Sequence, residues 1–149
     1  MQVTEEVHRQ MIQHAYAESP LESCGILGGH GDRADRFFPT TNGERSRVGY
    51  SIPEKEILRV MRTLDAEGAD LVGIFHSHPA TPAYPSSTDI RLAYYPEAYY
   101  LICSLQNPRR PVIRAFRLRN GTVSERPIEI VPSPGPTAVG DARARRDRA

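Results

Sequence analysis

The sequence predicts an α/β (α+β) domain in which helices sandwich a mixed β-sheet. Three observations carry that reading. Two segments repeat apolar residues at helical spacing: Val7, Met11 and Ala15, then Ile57, Val60, Met61 and Leu64. Between and after them lie apolar runs of strand length, Cys24–Leu27, Leu71–His76 and Tyr99–Ser104. Gly31-Asp32 and Asn120-Gly121 supply turn chemistry for hairpins.

Taken in order, residues 5–18 form the first helix. Thr4 is its N-cap, and Glu5 and Glu6 oppose the positive end of the helix dipole. Ser19-Pro20 ends it. Cys24–Leu27 is a strand closed by Gly28-Gly29, and Arg33–Phe38 its hairpin partner. Residues 39–50 are polar and irregular. The second helix starts near Pro53, a residue suited to a first turn, and stops at Gly68. Leu71–His76 is a buried strand, followed by a proline-rich loop over residues 79–85. Thr88 caps a short helix from Asp89 to about Tyr94. Tyr99–Ser104, Val112–Leu118 and Thr122–Val131 complete the strands, giving the order α-β-β-α-β-α-β-β-β.

A chain of 149 residues fits one folded unit. The body covers residues 1–131. Residues 132–149, rich in Pro, Gly, Ala and Arg, have almost nothing to bury and are expected to be a disordered tail. The net charge of +1 and the absence of a basic surplus in the body argue against nucleic acid as partner. No apolar run approaches the roughly 18–20 residues that cross a bilayer, so no membrane is expected. The first ten residues do not read as an export signal. The expected location is cytoplasmic, with Cys24 and Cys103 as thiols. No feature of the sequence specifies an oligomeric state.

The chemistry concentrates between residues 76 and 89. Strand residues i and i+2 share a face, so His76 and His78 project together where the strand meets a loop. Asp89, at the start of the next helix, offers a third ligand. Two imidazoles and a carboxylate suit zinc and leave a fourth tetrahedral position open, as catalytic sites require. Cys24 is a further ligand in principle, but a closed cysteine site needs more than two thiols. The full spacing, His-x-His, seven residues, Ser, two residues, Asp, would arise by chance in about 5 of 10,000 chains of this composition.

That spacing, with Glu22 upstream in Leu21-Glu22-Ser23-Cys24-Gly25-Ile26-Leu27-Gly28-Gly29, resembles the JAMM (MPN-plus) metalloprotease family over residues 1–131. The resemblance implies a JAMM/MPN-like (cytidine-deaminase-like) fold and one zinc ion per chain, held by His76, His78 and Asp89. It implies Glu22 as general base and Ser86 as hydrogen-bond donor to the developing oxyanion. Zinc-activated water and a nearby carboxylate agree with this chemistry. Cys24, beside Glu22, reads as a packing residue rather than a nucleophile.

The runs HSHPATPAYPSSTDIRLA and YPEAYYLICS, with Thr41-Asn42-Gly43-Glu44-Arg45-Ser46, look like the small Mec-type bacterial members. Those hydrolyse the amide joining cysteine to the C-terminal Gly-Gly of a ubiquitin-like sulfur-carrier protein, in cysteine biosynthesis or sulfur transfer. An extended Gly-Gly tail suits a groove or sheet edge, and residues 39–50 and 79–85 are candidate walls. Two other readings stand beside it. One is a deubiquitinase-like isopeptidase acting on protein lysines; the other is a non-catalytic MPN scaffold, which usually lacks a ligand that this chain retains. A DNA-repair role, as in RadC-like members, lacks the extra module and the basic charge it requires.

Overall fold

The computed structural model describes residues 1–134. In it, eight strands and three helices are arranged as β1 (Gln2–Thr4), α1 (Glu5–Glu18), β2 (Cys24–His30), β3 (Arg33–Thr40), α2 (Glu54–Glu67), β4 (Asp70–His78), α3 (Ser87–Arg91), β5 (Tyr99–Ser104), β6 (Val112–Arg119), β7 (Thr122–Arg126) and β8 (Glu129–Val131). One mixed sheet takes the order β7-β6-β5-β4-β2-β3-β1-β8. β4 lies near its middle, antiparallel to β2 and parallel to β5.

Alternation along the central strands divides the core into two faces. Leu27, Phe75, Leu101 and Ala115 point one way and pack against Val7, Met11 and Ala15 of α1. Ile26, Ile74, Ile102 and Phe116 point the other way and pack against Val60 and Leu64 of α2. The helical stripes read from spacing are therefore the buried stripes. Thr4 caps α1 by accepting from the Val7 N–H, and Gly68 closes α2 in the left-handed conformation at φ 65°. Among the described residues no helix is long and apolar enough to cross a membrane.

Four expectations are corrected. β2 does not close at Gly28-Gly29 but runs through them to His30. At Gly29 a Cβ would lie 2.0 Å from the Arg33 carbonyl oxygen, so glycine is what lets the hairpin strands meet. The last strand breaks in two at Pro127, which has no N–H for the ladder; β7 stays with β6, and β8 moves to the far edge beside β1. β1 has no sequence signal, being three residues held by parallel pairing to β3 and β8. Pro53 occupies the N-cap of α2 rather than its first turn, without a side-chain cap. The segment expected as a tail begins with a contact: the Ser133 hydroxyl accepts the Glu6 N–H at 2.8 Å. Residues 135–149 of that expected tail lie outside the described residues.

Gly29→Ala should destabilise the protein by about 3 kcal/mol, the upper end for overpacking against backbone. Urea unfolding of the variant against the parent checks this, with Gly31→Ala as a comparison at an open position strained only by its φ of 57°.

Candidate active site

β4 carries His76 and His78 onto the α2 side of the sheet, continuing the line of Ile74. Both are buried, at 0% and 4% exposed. α3 brings Asp89 to the same place. Its cap is Ser86, not Thr88, because the Ser86 hydroxyl reaches the Asp89 N–H at 3.0 Å while the Ser86 N–H donates to Asp89 Oδ2 at 2.9 Å. This capping box aims the carboxylate. α3 accordingly spans Ser87–Arg91 and stops short of Tyr94.

The outcome is a triangle. His76 Nε2 and His78 Nε2 are 3.1 Å apart, and each lies 3.1 Å from Asp89 Oδ2. Zinc bonds of about 2.0–2.1 Å at tetrahedral angles would separate ligand atoms by about 3.3–3.4 Å, so the donor set fits that ion with a spread of a few tenths of an ångström. The chemistry of the donors agrees. The Pro82 carbonyl can only accept, so the His78 Nδ1 at 2.8 Å donates to it, and the Nε2 of a neutral His78 is a bare lone pair. Three such atoms converging require positive charge among them, as shared protons or as a bound cation. Burial opposes ionisation of Asp89, but hydrogen bonds from His76 and His78 outweigh it and hold the carboxyl well below its usual range. Burial holds His76 below its ordinary value, toward the neutral form that a metal needs.

Glu22 is placed differently. It is 5% exposed, and its Oε1 has no hydrogen-bond partner among the described residues. Its carboxylate lies within 4.8 Å of the ligand-type atoms of His76 and His78, so Glu22, His76 and His78 also form a possible metal triad. The 3.1 Å edges and the ionised state favour Asp89 over Glu22 as third ligand. Burial pushes the Glu22 carboxyl up to about 8; His78 opposes this, while the charges of Asp89 and Glu44 add to it. A carboxylate of that basicity, without a partner beside a cation site, can take and release a proton near neutrality. Burial also raises the two thiols, Cys24 to about 11 and Cys103 to about 12, so both are inert at neutral pH.

The four residues of the spacing, His76, His78, Ser86 and Asp89, and Glu22, which the resemblance added, are thus brought to one place. Others were not foreseen. Ser77, between the histidines, accepts the Ser23 N–H at 2.8 Å and the Ser23 hydroxyl at 3.0 Å, pinning the Glu22 segment to β4. Asn42 is the hub of the loop between β3 and α2, donating to the Glu22 carbonyl at 3.0 Å and the Gly49 carbonyl at 2.9 Å. The Tyr50 ring stacks on His76, with centroids 4.4 Å apart and planes 20° from parallel. Tyr50 also walls a cavity of about 220 Å³ with Ile52, Ile57, Leu92, Tyr94 and Tyr95. Tyr84, Tyr94 and Tyr95 are exposed, whereas Tyr99 and Tyr100 are core. Asn42-Gly43 is legible as a turn, but nothing local marks Asn42 as a hub or Tyr50 as a neighbour of His76.

A curled mixed sheet carrying this His-His-Asp cluster defines the class. Residues 4–119 match the prokaryotic homologs of the JAB domain, and the chain belongs to this JAMM/MPN family. It is 42% identical over 123 residues to the CysO-cysteine peptidase of Mycobacterium tuberculosis, a match spanning 81% of this chain and 84% of that protein. It is 36% identical over 93 residues to the desampylase of Haloferax volcanii, covering 60% and 67% of the two chains. Protein DSY2949 from Desulfitobacterium hafniense, solved in solution, superposes with a TM-score of 0.82 at 36% identity, over 89% of this chain and 93% of that one. Both the fold class and the family read from the motif hold.

With Glu22 raised to about 8, the folded chain binds that proton more tightly than the unfolded chain does. The associated stability is complete below the unfolded value near 4.5 and is lost as pH rises through about 8. Chelator-treated Glu22→Gln, which mimics the neutral carboxyl, should therefore melt at the parent's temperature near pH 4 and above it at pH 8. Differential scanning calorimetry of the two proteins across that range decides it.

Proposed function

We propose that this chain is a zinc-dependent peptidase that hydrolyses the amide bond after the C-terminal Gly-Gly of a ubiquitin-like sulfur-carrier protein, releasing cysteine. The observation that carries the reading is the 3.1 Å triangle of His76, His78 and Asp89 with the unpartnered Glu22 carboxylate beside it. The relative that shares 42% identity over most of both chains carries the name CysO-cysteine peptidase, which supplies the substrate class.

In this mechanism His76, His78 and Asp89 hold the ion. The chemistry zinc supplies in such a site is water activation, the pKa falling to about 7. Glu22 Oε1 takes the proton as water oxygen bonds to the glycine carbonyl carbon. It returns that proton to the amide nitrogen as the C–N bond breaks, so that the carrier leaves as a carboxylic acid and cysteine as an amine. The Ser86 hydroxyl accepts from the Asp89 N–H and keeps its own proton free to donate to the oxyanion. Asp89 is held ionised and oriented by the Ser86 N–H. The catalytic unit is the body of the chain, and residues beyond Pro134 take no part in turnover.

A second reading is isopeptide cleavage on protein lysines, favoured by the likeness to desampylase. The higher identity and the wider coverage of the CysO-cysteine peptidase keep the first reading ahead.

Incubated with a Gly-Gly-terminated carrier bearing a C-terminal cysteine, the zinc-loaded protein should remove one cysteine by intact-mass spectrometry, and a chelator should abolish the loss. Glu22→Gln should keep zinc and lose turnover by about 10²–10⁴-fold, the worth of a positioned proton-transfer group. An unchanged adduct with cleavage of a lysine-linked conjugate would install the second reading; an unchanged adduct and no bound zinc would make the chain a scaffold. His78→Ala should lose stoichiometric zinc by atomic absorption. A chain ending at Pro134 should turn over at the full-length rate.

A further inference from the structure

The two histidines of the cluster are not held alike. His78 donates its Nδ1 proton to the Pro82 carbonyl at 2.8 Å, the usual way in which a ligating imidazole is oriented by its other nitrogen. His76 has no such tether. It is fully buried, and its Nδ1 has no partner among the described residues. Nothing polar on that side fixes rotation about its outer side-chain torsion. A tilt of the ring plane about that torsion would swing the Nε2 lone pair off Asp89.

What the ring does have is a face covered by Tyr50, 4.4 Å away and 20° from parallel. Tyr50 is itself held from both peptide neighbours. The Gly49 carbonyl accepts from Asn42 Nδ2 at 2.9 Å, and the Ser51 N–H donates to Asn42 Oδ1 at 3.3 Å. Asn42 is 8% exposed and also donates to the Glu22 carbonyl at 3.0 Å. One buried amide therefore registers both the Tyr50 ring over His76 and the backbone that bears Glu22.

We propose that Tyr50 is a positioning residue of the candidate metal centre: its ring face, stacked on His76, does for that imidazole what the Pro82 carbonyl does for His78. The contact with His76 is made by the ring face, so the ring and not the hydroxyl carries the role. The same ring walls the neighbouring cavity of about 220 Å³, and whatever occupies that cavity touches the support of a metal ligand. The inference rests on the reading of His76 as a ligand.

The test uses the full chain as wild type, Tyr50→Phe, Tyr50→Leu and Tyr50→Met. Each is stripped of metal, checked for folding by circular dichroism, and titrated with zinc against a chromophoric chelator. The visible spectrum of the cobalt-substituted protein is recorded alongside. Wild type and Tyr50→Phe should bind zinc equally and share one cobalt spectrum. The two non-aromatic variants should bind about 10–100-fold more weakly, with a displaced cobalt band, as when other supports of metal ligands are removed. A folded Leu or Met variant with wild-type affinity and spectrum overturns the proposal, as does a Phe variant as weak as Leu. If wild type binds no zinc, the ligand reading falls and this inference with it; if wild type binds and the non-aromatic variants match it, this inference alone falls.

Discussion

Three lone pairs brought within 3.1 Å of one another repel unless positive charge lies among them, and the arrangement around β4 follows from that constraint. Imidazole rings on a free loop would swing apart. Here they stand two residues apart on one strand, His76 paired to both β2 and β5 and His78 to β5, which holds both backbones in place. The carboxylate is braced by a single turn of helix whose cap and ligand are the same pair of residues, Ser86 and Asp89.

Around that point the protein keeps water out unevenly. The second carboxyl group beside the cluster, Glu22, is buried with its Oε1 unpartnered among the described residues, which is why its proton affinity rises while that of Asp89 falls. Two carboxylates on one site with opposite tendencies can divide labour, one staying charged and the other exchanging a proton. Their difference comes from surroundings: a pair of imidazole nitrogens around Asp89, and burial with an unpartnered oxygen at Glu22.

Much of this was readable from residues alone, for reasons that are local. The stripes of α1 and α2, the Gly68 stop and the Gly31 and Asn120-Gly121 turns depend on neighbours in sequence, and so does the alternation that puts His76 and His78 on one side. The cluster was legible because two of its residues share a strand and the third lies just beyond a short loop. What escaped depends on partners far along the chain. β1 is a strand only because β3 and β8 flank it. The run from Thr122 to Val131 divides because Pro127 cannot feed a ladder just where the chain changes sheet edge. Gly28 and Gly29 read locally as a terminus, yet Gly29 is where two backbones come too close for a side chain, and Gly28 leaves room for the Leu64 side chain. Ser86 rather than Thr88 is the cap because Ser86 and Asp89 satisfy one another's backbone N–H groups. Asn42 and Tyr50 act across folds of an irregular loop, where no periodicity exists to be read.

The Asn42 hub also bears on chemical ageing. An asparagine followed by glycine is the dipeptide most ready to cyclise and lose ammonia, because little hinders attack of the next nitrogen on the side-chain amide. In the folded chain that attack is blocked twice. The side-chain amide of Asn42 is engaged at both ends, and the Gly43 N–H is donated to the Ser51 carbonyl at 2.8 Å. Conversion to aspartate would replace a donor with an acceptor opposite the Glu22 and Gly49 carbonyls, loosening the base and the His76 stack in one event. The shelf life of the site is therefore set by how often this loop opens, and a resting protein that stays closed protects the residue on which its own order depends.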